Sequence, residues 1–259
     1  MLYAIMVGID KYRDPSIDDL SYARKDAEDL GALINERIHP SERQVRFIFD
    51  EEATRRNLMV AIGEDLARVA TNPDDIILLY FAGHGSPETE SSPDEVSRYL
   101  VTHDTEYECI YSTGLDIERD LPRWLERIQE PKLLFLFLDA CFSGRAGGRT
   151  FEGPILKELR STRFRGAKPI TLKKMELGEG RIMISACDEN QVAREDAALH
   201  HGIFTYYLIE SLKQSVEKKT ISVHVLYEEV ASAVRLYTKG RQIPVINGRS
   251  RVAQLPRLG

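Results

Sequence analysis

IILLYFAGHGS, residues 76–86, and LLFLFLDACFSG, residues 133–144, decide how this chain reads. Each opens on an unbroken apolar run and closes on small residues around one reactive side chain, His84 in the first and Cys141 in the second. Continuous hydrophobicity without polar alternation is the pattern of strands buried on both faces of a mostly parallel sheet. Three further runs share it, at residues 2–9, 45–49 and 181–185. Between the runs lie amphipathic segments of helical length. Residues 18–35 place Leu20, Ala23, Ala27, Leu30, Leu33 and Ile34 on one face, and residues 54–69 open on Thr54, a residue suited to capping. Other helices are expected after Gly114, after Gly202 and over residues 223–237. Strands alternating with helices predict an α/β fold, a mostly parallel central sheet with right-handed crossovers and helices on both faces.

Two smaller features interrupt the alternation. Residues 98–101 and 108–111 read as a hairpin inserted after the third core strand. Residues 144–180 mix Gly, Pro, Arg, Lys, Ser and Thr with weak periodicity and read largely as a long loop or cleavable linker.

Bulk properties narrow the function classes. The 259 residues suit one large domain, and 42% hydrophobic with 29% charged residues is ordinary for a globular protein. No apolar run approaches membrane-spanning length, and the opening MLYAIMVGIDKY carries no basic leader or cleavage site, so a cytoplasmic protein is expected. Three scattered cysteines, Cys109, Cys141 and Cys187, make neither a disulfide framework nor a zinc site. The net charge of −6 points away from nucleic acid and anionic membranes as partners. It conceals an imbalance, because residues 145–174 hold nine basic residues against two acids, Glu152 and Glu158.

Ligands of open parallel sheets bind beyond the carboxyl ends of the strands, where His84 and Cys141 stand. Singly, such a histidine is an ordinary loop residue and such a cysteine ordinary packing. On neighbouring strands they meet at one sheet edge, where a histidine can take the thiol proton and create the nucleophile of acyl transfer. The Gly85 and Cys141 amides can then face a developing oxyanion, and the glycines around His84 admit a close backbone. Asp188 and Glu189, at another strand end, would add acidity to a substrate groove. Asp104 reads as a loop organiser, and His200 and His201 as the approach to the helix after Gly202. A flavodoxin-like nucleotide binder is disfavoured, since Gly8-Ile9-Asp10 follows the first strand where a phosphate loop would stand.

Ala82-Gly83-His84-Gly85-Ser86 and Asp139-Ala140-Cys141-Phe142-Ser143-Gly144 resemble the histidine and cysteine motifs of caspase-like peptidases, in particular the metacaspase and bacterial orthocaspase branch. Residues 4–12 (AIMVGIDKY), 20–27 (LSYARKDA), 184–191 (ISACDENQ) and 202–206 (GIFTY) are similar to further motifs of that family, so the likeness spans residues 4–248. It implies the caspase-hemoglobinase fold in a single domain over residues 1–259. The large portion would end near residue 144, the basic linker near 180, and the small portion would follow.

The resemblance also implies a cysteine endopeptidase in which Cys141 and His84 form the dyad. Its specificity pocket would be made acidic by Asp26 and Asp139, so that it cuts proteins or peptides after Arg or Lys. Ala23 stands where many metacaspases have Cys, and Ala82 where Ser is frequent; both touch the pocket rim rather than the dyad. No EF-hand and no acidic cluster after Cys141 is present, so no calcium, other metal or cofactor is carried over. The basic linker is then a candidate site of self-cleavage or of cleavage by an upstream activating protease. By analogy the role is an effector in stress or antiviral defence, including protease cascades near CRISPR systems. The alternative from another class is a catalytically silent caspase-fold adaptor that binds basic peptides.

Overall fold

The computed structural model describes residues 1–89, 96–128, 133–143, 148–163, 180–188, 190–214, 221–249 and 254–255. The chain begins with β1 (Leu2–Gly8), α1 (Ala23–Arg37) and β2 (Arg43–Phe49). Helix α2 (Arg55–Val60), capped by Thr54, whose side chain accepts from Asn57 N, continues through a wider π turn (Ala61–Leu66) into α3 (Ala67–Val69). Then come β3 (Ile76–Ala82), β4 (Gly85–Glu88), β5 (Ser97–Leu100), α4 (Ile110–Thr113), β6 (Leu115–Asp116), α5 (Asp120–Leu125) and β7 (Leu133–Asp139). The rest comprises α6 (Pro154–Arg163), β8 (Arg181–Ser185), β9 (Glu195–Asp196), β10 (His201–Gly202), α7 (Ile203–Gln214), β11 (Ile221–Ser222), α8 (Val223–Tyr237), β12 (Val245–Arg249) and β13 (Gln254–Leu255).

Six strands form the central sheet in the order β12-β8-β7-β3-β1-β2, all parallel except β12, which runs antiparallel to β8 along its edge. Strand periodicity divides the apolar side chains between two cores. Met6, Leu78, Tyr80, Phe135, Phe137 and Ile184 face one side, where Leu30 of α1, Phe204 and Leu208 of α7, and Val230 of α8 cover them. Ile5, Leu79, Phe81, Leu136 and Leu138 face the other, against Leu58, Ile62, Leu66, Leu121 and Trp124. Every residue of β7 is buried. The continuous apolar runs are thus accounted for, since residues of either parity meet a helix layer.

The insertion after β3 differs from the expected hairpin. Residues 108–111 lie in a helical turn leading into α4, where the Ser112 and Thr113 hydroxyls donate to the Cys109 carbonyl. The partners of β5 are instead β4 and β6, in a three-stranded antiparallel sheet. Within the expected linker, α6 replaces loop at residues 154–163, because Glu88 accepts from the Ile155 and Leu156 amides at its start. Residues 144–147, with Arg145, and residues 164–179 lie outside the described set. No helix among the described residues is long and apolar enough to cross a membrane.

Candidate active site

Register places the two reactive side chains. Strands β3 and β7 are neighbours with Ala82 opposite Asp139, so His84 and Cys141 both stand two residues past a paired position. Gly83 N still donates to Asp139 O at 3.3 Å, holding the two chain ends side by side as they leave the sheet.

Arg149 lies across the two strand ends. The Arg149 carbonyl accepts from Gly85 N at 3.0 Å and from Cys141 N at 3.2 Å, the two amides expected to face an oxyanion. The Arg149 amide donates to Ala193 O at 2.9 Å, so its backbone is held on both sides. Before it, Gly148 has φ +69, and a Cβ there would strike the Ala193 carbonyl and Val192 Cγ1; only glycine accepts both the conformation and the approach.

The Arg149 side chain is fully buried among three carboxylates. Nη1 lies 2.9 Å from Asp139 Oδ2, and Nη2 lies 2.5 Å from Asp26 Oδ2 and 3.0 Å from Glu195 Oε1. Asp26 is steadied by the amide of Gly202 and by His201 Nδ1 at 2.6 Å. Asp139 accepts from Thr205 Oγ1, itself paired with the Tyr80 hydroxyl. Glu195 accepts from the Ser21 and Tyr22 amides, at the entry to α1. Burial raises the Asp139 carboxyl to about 6 against the pull of Arg149. Burial also opposes the charge on Arg149, but Asp139, Asp26 and Glu195 outweigh it and keep the guanidinium ionised.

His84 keeps one ring nitrogen open. Its Nε2 lies 2.8 Å from the Asp18 carbonyl, which can only accept, so that nitrogen carries the proton. Nδ1 therefore presents a bare lone pair and has no partner among the described residues. Burial pushes the imidazole down to about 4, keeping it neutral. Its backbone amide donates to the buried Tyr12 hydroxyl at 2.8 Å, which fixes the loop beneath the ring. Cys141 Sγ lies 2.5 Å from the Gln191 carbonyl, and Cys187 Sγ approaches the same oxygen at 3.6 Å. The hydrogen bond with Cys187, opposed by burial, brings the Cys141 thiol down to about 7. Cys187 itself is pushed up, chiefly by burial. Cys187 thus neighbours Cys141.

Of the residues singled out in the sequence, the structure gathers His84, Cys141, Gly85, Asp26 and Asp139 around Arg149. It does not bring Asp188 there: that side chain is exposed and lines a separate cavity of about 170 Å³ with Arg98, Phe142 and Cys187. The third carboxylate is instead Glu195. Asp104 organises its loop as expected, accepting from Arg55 N and Thr102 Oγ1. No cluster of metal-ligating residues occurs among the described residues. An open cleft of about 680 Å³, lined by Asp18, His84, Tyr107, Phe151 and Glu195 among others, adjoins the Arg149 pocket.

Comparison with known proteins agrees with this architecture. The family model of the caspase domain matches residues 1–255. Among solved structures, the protein GSU0716 from Geobacter sulfurreducens, a structural genomics target, superposes with a TM-score of 0.70 at 22% identity, over 96% of this chain and 93% of that one. The likeness concerns the fold. No curated protein matched.

Proposed function

Since the chain belongs to the caspase domain family, we propose that it is a cysteine endopeptidase cutting after Arg or Lys, and that its first substrate is its own Arg149–Thr150 bond. The observation that carries this reading is Arg149, whose carbonyl rests on the Gly85 and Cys141 amides while its guanidinium lies among Asp139, Asp26 and Glu195. A pocket of three acids selects a cation and repels an aspartate side chain.

The reaction then follows. The Cys141 thiol gives its proton to His84 Nδ1, and the sulfur attacks the Arg149 carbonyl carbon. The oxygen takes up negative charge between the two amides that already hold it. Collapse breaks the C–N bond, the Thr150 nitrogen leaves with the proton from His84, and an acyl-enzyme remains on Cys141. Water, deprotonated by His84, hydrolyses that thioester and frees the Arg149 carboxylate. Until the cut is made, Arg149 excludes other substrates, so the intact chain is latent; an upstream protease cutting elsewhere in the basic linker would release the same pocket.

Peptides ending in Arg, Lys or Asp before a fluorogenic group test the assignment on processed enzyme. Arg and Lys peptides should be cut and the Asp peptide left intact. Equal turnover by a Cys141→Ala protein, or preference for Asp, would overturn it.

A further inference from the structure

The chain beyond Arg149 is held as closely as Arg149 itself. Thr150 is buried and bridges in parallel to Gly85, and Gly153 N donates to Pro87 O at 3.2 Å, so residues 150–153 run alongside β4 like an added strand. Next to Thr150, the half-buried Phe151 ring meets the His84 imidazole edge-on, with centroids 5.5 Å apart and an interplanar angle of 71°. It also tilts against Tyr107 at 5.8 Å, while Tyr12 lies 5.2 Å from the imidazole. The Tyr107 hydroxyl reaches the Glu152 carbonyl. His84 and Tyr107 both line the open cleft, so another chain can reach the same rings.

We propose that the cleft carries a subsite for the second residue after the cleaved bond, formed by the rings of Tyr107 and His84, and that it selects an aromatic side chain. The substrate class is a protein segment with glycine before the arginine and an aromatic residue two positions after the cut, the pattern displayed by Gly148-Arg149-Thr150-Phe151. This deepens the reading of Arg149–Thr150 as the first bond cut and rests on it. The physical basis is edge-to-face and tilted ring contact in a site where the histidine must already be oriented. An aromatic partner fills the face of the imidazole and tethers the leaving chain along β4, whereas a small or charged side chain does neither.

The test uses the full chain and its own cleavage, read by intact mass against time. Phe151→Ala should slow the Arg149–Thr150 cut about tenfold, and Phe151→Tyr should restore it, as expected of edge-to-face ring contacts. Phe151→Leu, apolar without a ring, serves if the alanine chain fails to fold, and should also be slow. In a Tyr107→Ala background the Phe151→Ala penalty should shrink, a coupling that a general loss of packing would not produce. Cleavage at the same bond and rate in wild type, Phe151→Ala and Phe151→Leu would overturn the subsite while leaving the peptidase reading intact. No cleavage at Arg149 in the wild type would overturn the reading beneath it.

Discussion

Replacing Arg149 with Met in a Cys141→Ala chain, which on this reading cannot process itself, leaves buried Asp26 and Asp139 and the partly exposed Glu195 without their shared cation. Asp26 keeps the Gly202 amide and His201, and Glu195 keeps the Ser21 and Tyr22 amides, so the loss falls mainly on Asp139, whose other side-chain partner is Thr205. Breaking one side of a buried ion pair costs about 3–5 kcal/mol. For a chain of this size that lowers the melting temperature by on the order of 10 °C.

The cost depends on pH in a definite direction. With Arg149 in place the folded Asp139 carboxyl already titrates near 6. Without the guanidinium its folded pKa rises further, while the unfolded value stays near about 4. The folded variant therefore holds a proton that the unfolded chain releases, and its stability falls by about 1.4 kcal/mol per pH unit across that window. Urea unfolding of both chains at about pH 5.5 and about pH 8 measures the difference. The deficit of Arg149→Met should be small in acid and near its full size in base. An equal deficit at both, or none at pH 8, would refute the placement of Arg149 against ionised Asp139.

Other consequences are open to test. A Cβ at Gly202 would stand 2.6 Å from Asp139 Oδ2 and 2.9 Å from Arg149 Cζ, so Gly202→Ala should displace the guanidinium and slow self-cleavage by about a hundredfold or more, read by mass against time. The rate of self-cleavage should rise through about pH 4, where buried His84 becomes neutral and able to take the Cys141 proton, and fall above about pH 7, where the thiol has lost that proton, with no step at the ordinary histidine value. Tyr12→Phe strands the buried His84 amide donor and should cost about 1–3 kcal/mol in urea unfolding, with slower turnover.

Much of this was legible in the sequence because the core strands carry their own evidence. The run at residues 76–82 coincides with β3, and residues 133–138 fall one short of β7, since helices on both faces leave no polar alternation to blur the ends. His84 and Cys141 follow from those ends and from the pairing of neighbouring strands. The antiparallel edge strand β12 was not anticipated: Val245-Ile246-Asn247-Gly248-Arg249 is short and half polar, and pairing with β8 makes it a strand. Glu195 was likewise hidden. Its role depends on tertiary contacts with Arg149 and the Ser21 and Tyr22 amides, which no local pattern reveals, so that Asp188 was the more obvious acid. Arg149 was one cation among nine in a basic stretch. Its distinction is steric, since Gly148 admits the turn and Gly202 leaves room for the guanidinium.

The central claim is that Arg149 is seated as the chain's own first substrate. Intact-mass measurement of purified wild type beside Cys141→Ala, incubated together in parallel tubes, tests it most directly. The wild type should separate into fragments 1–149 and 150–259 while Cys141→Ala stays whole. A wild-type chain that remains intact, or that is first cut at another bond, would contradict it.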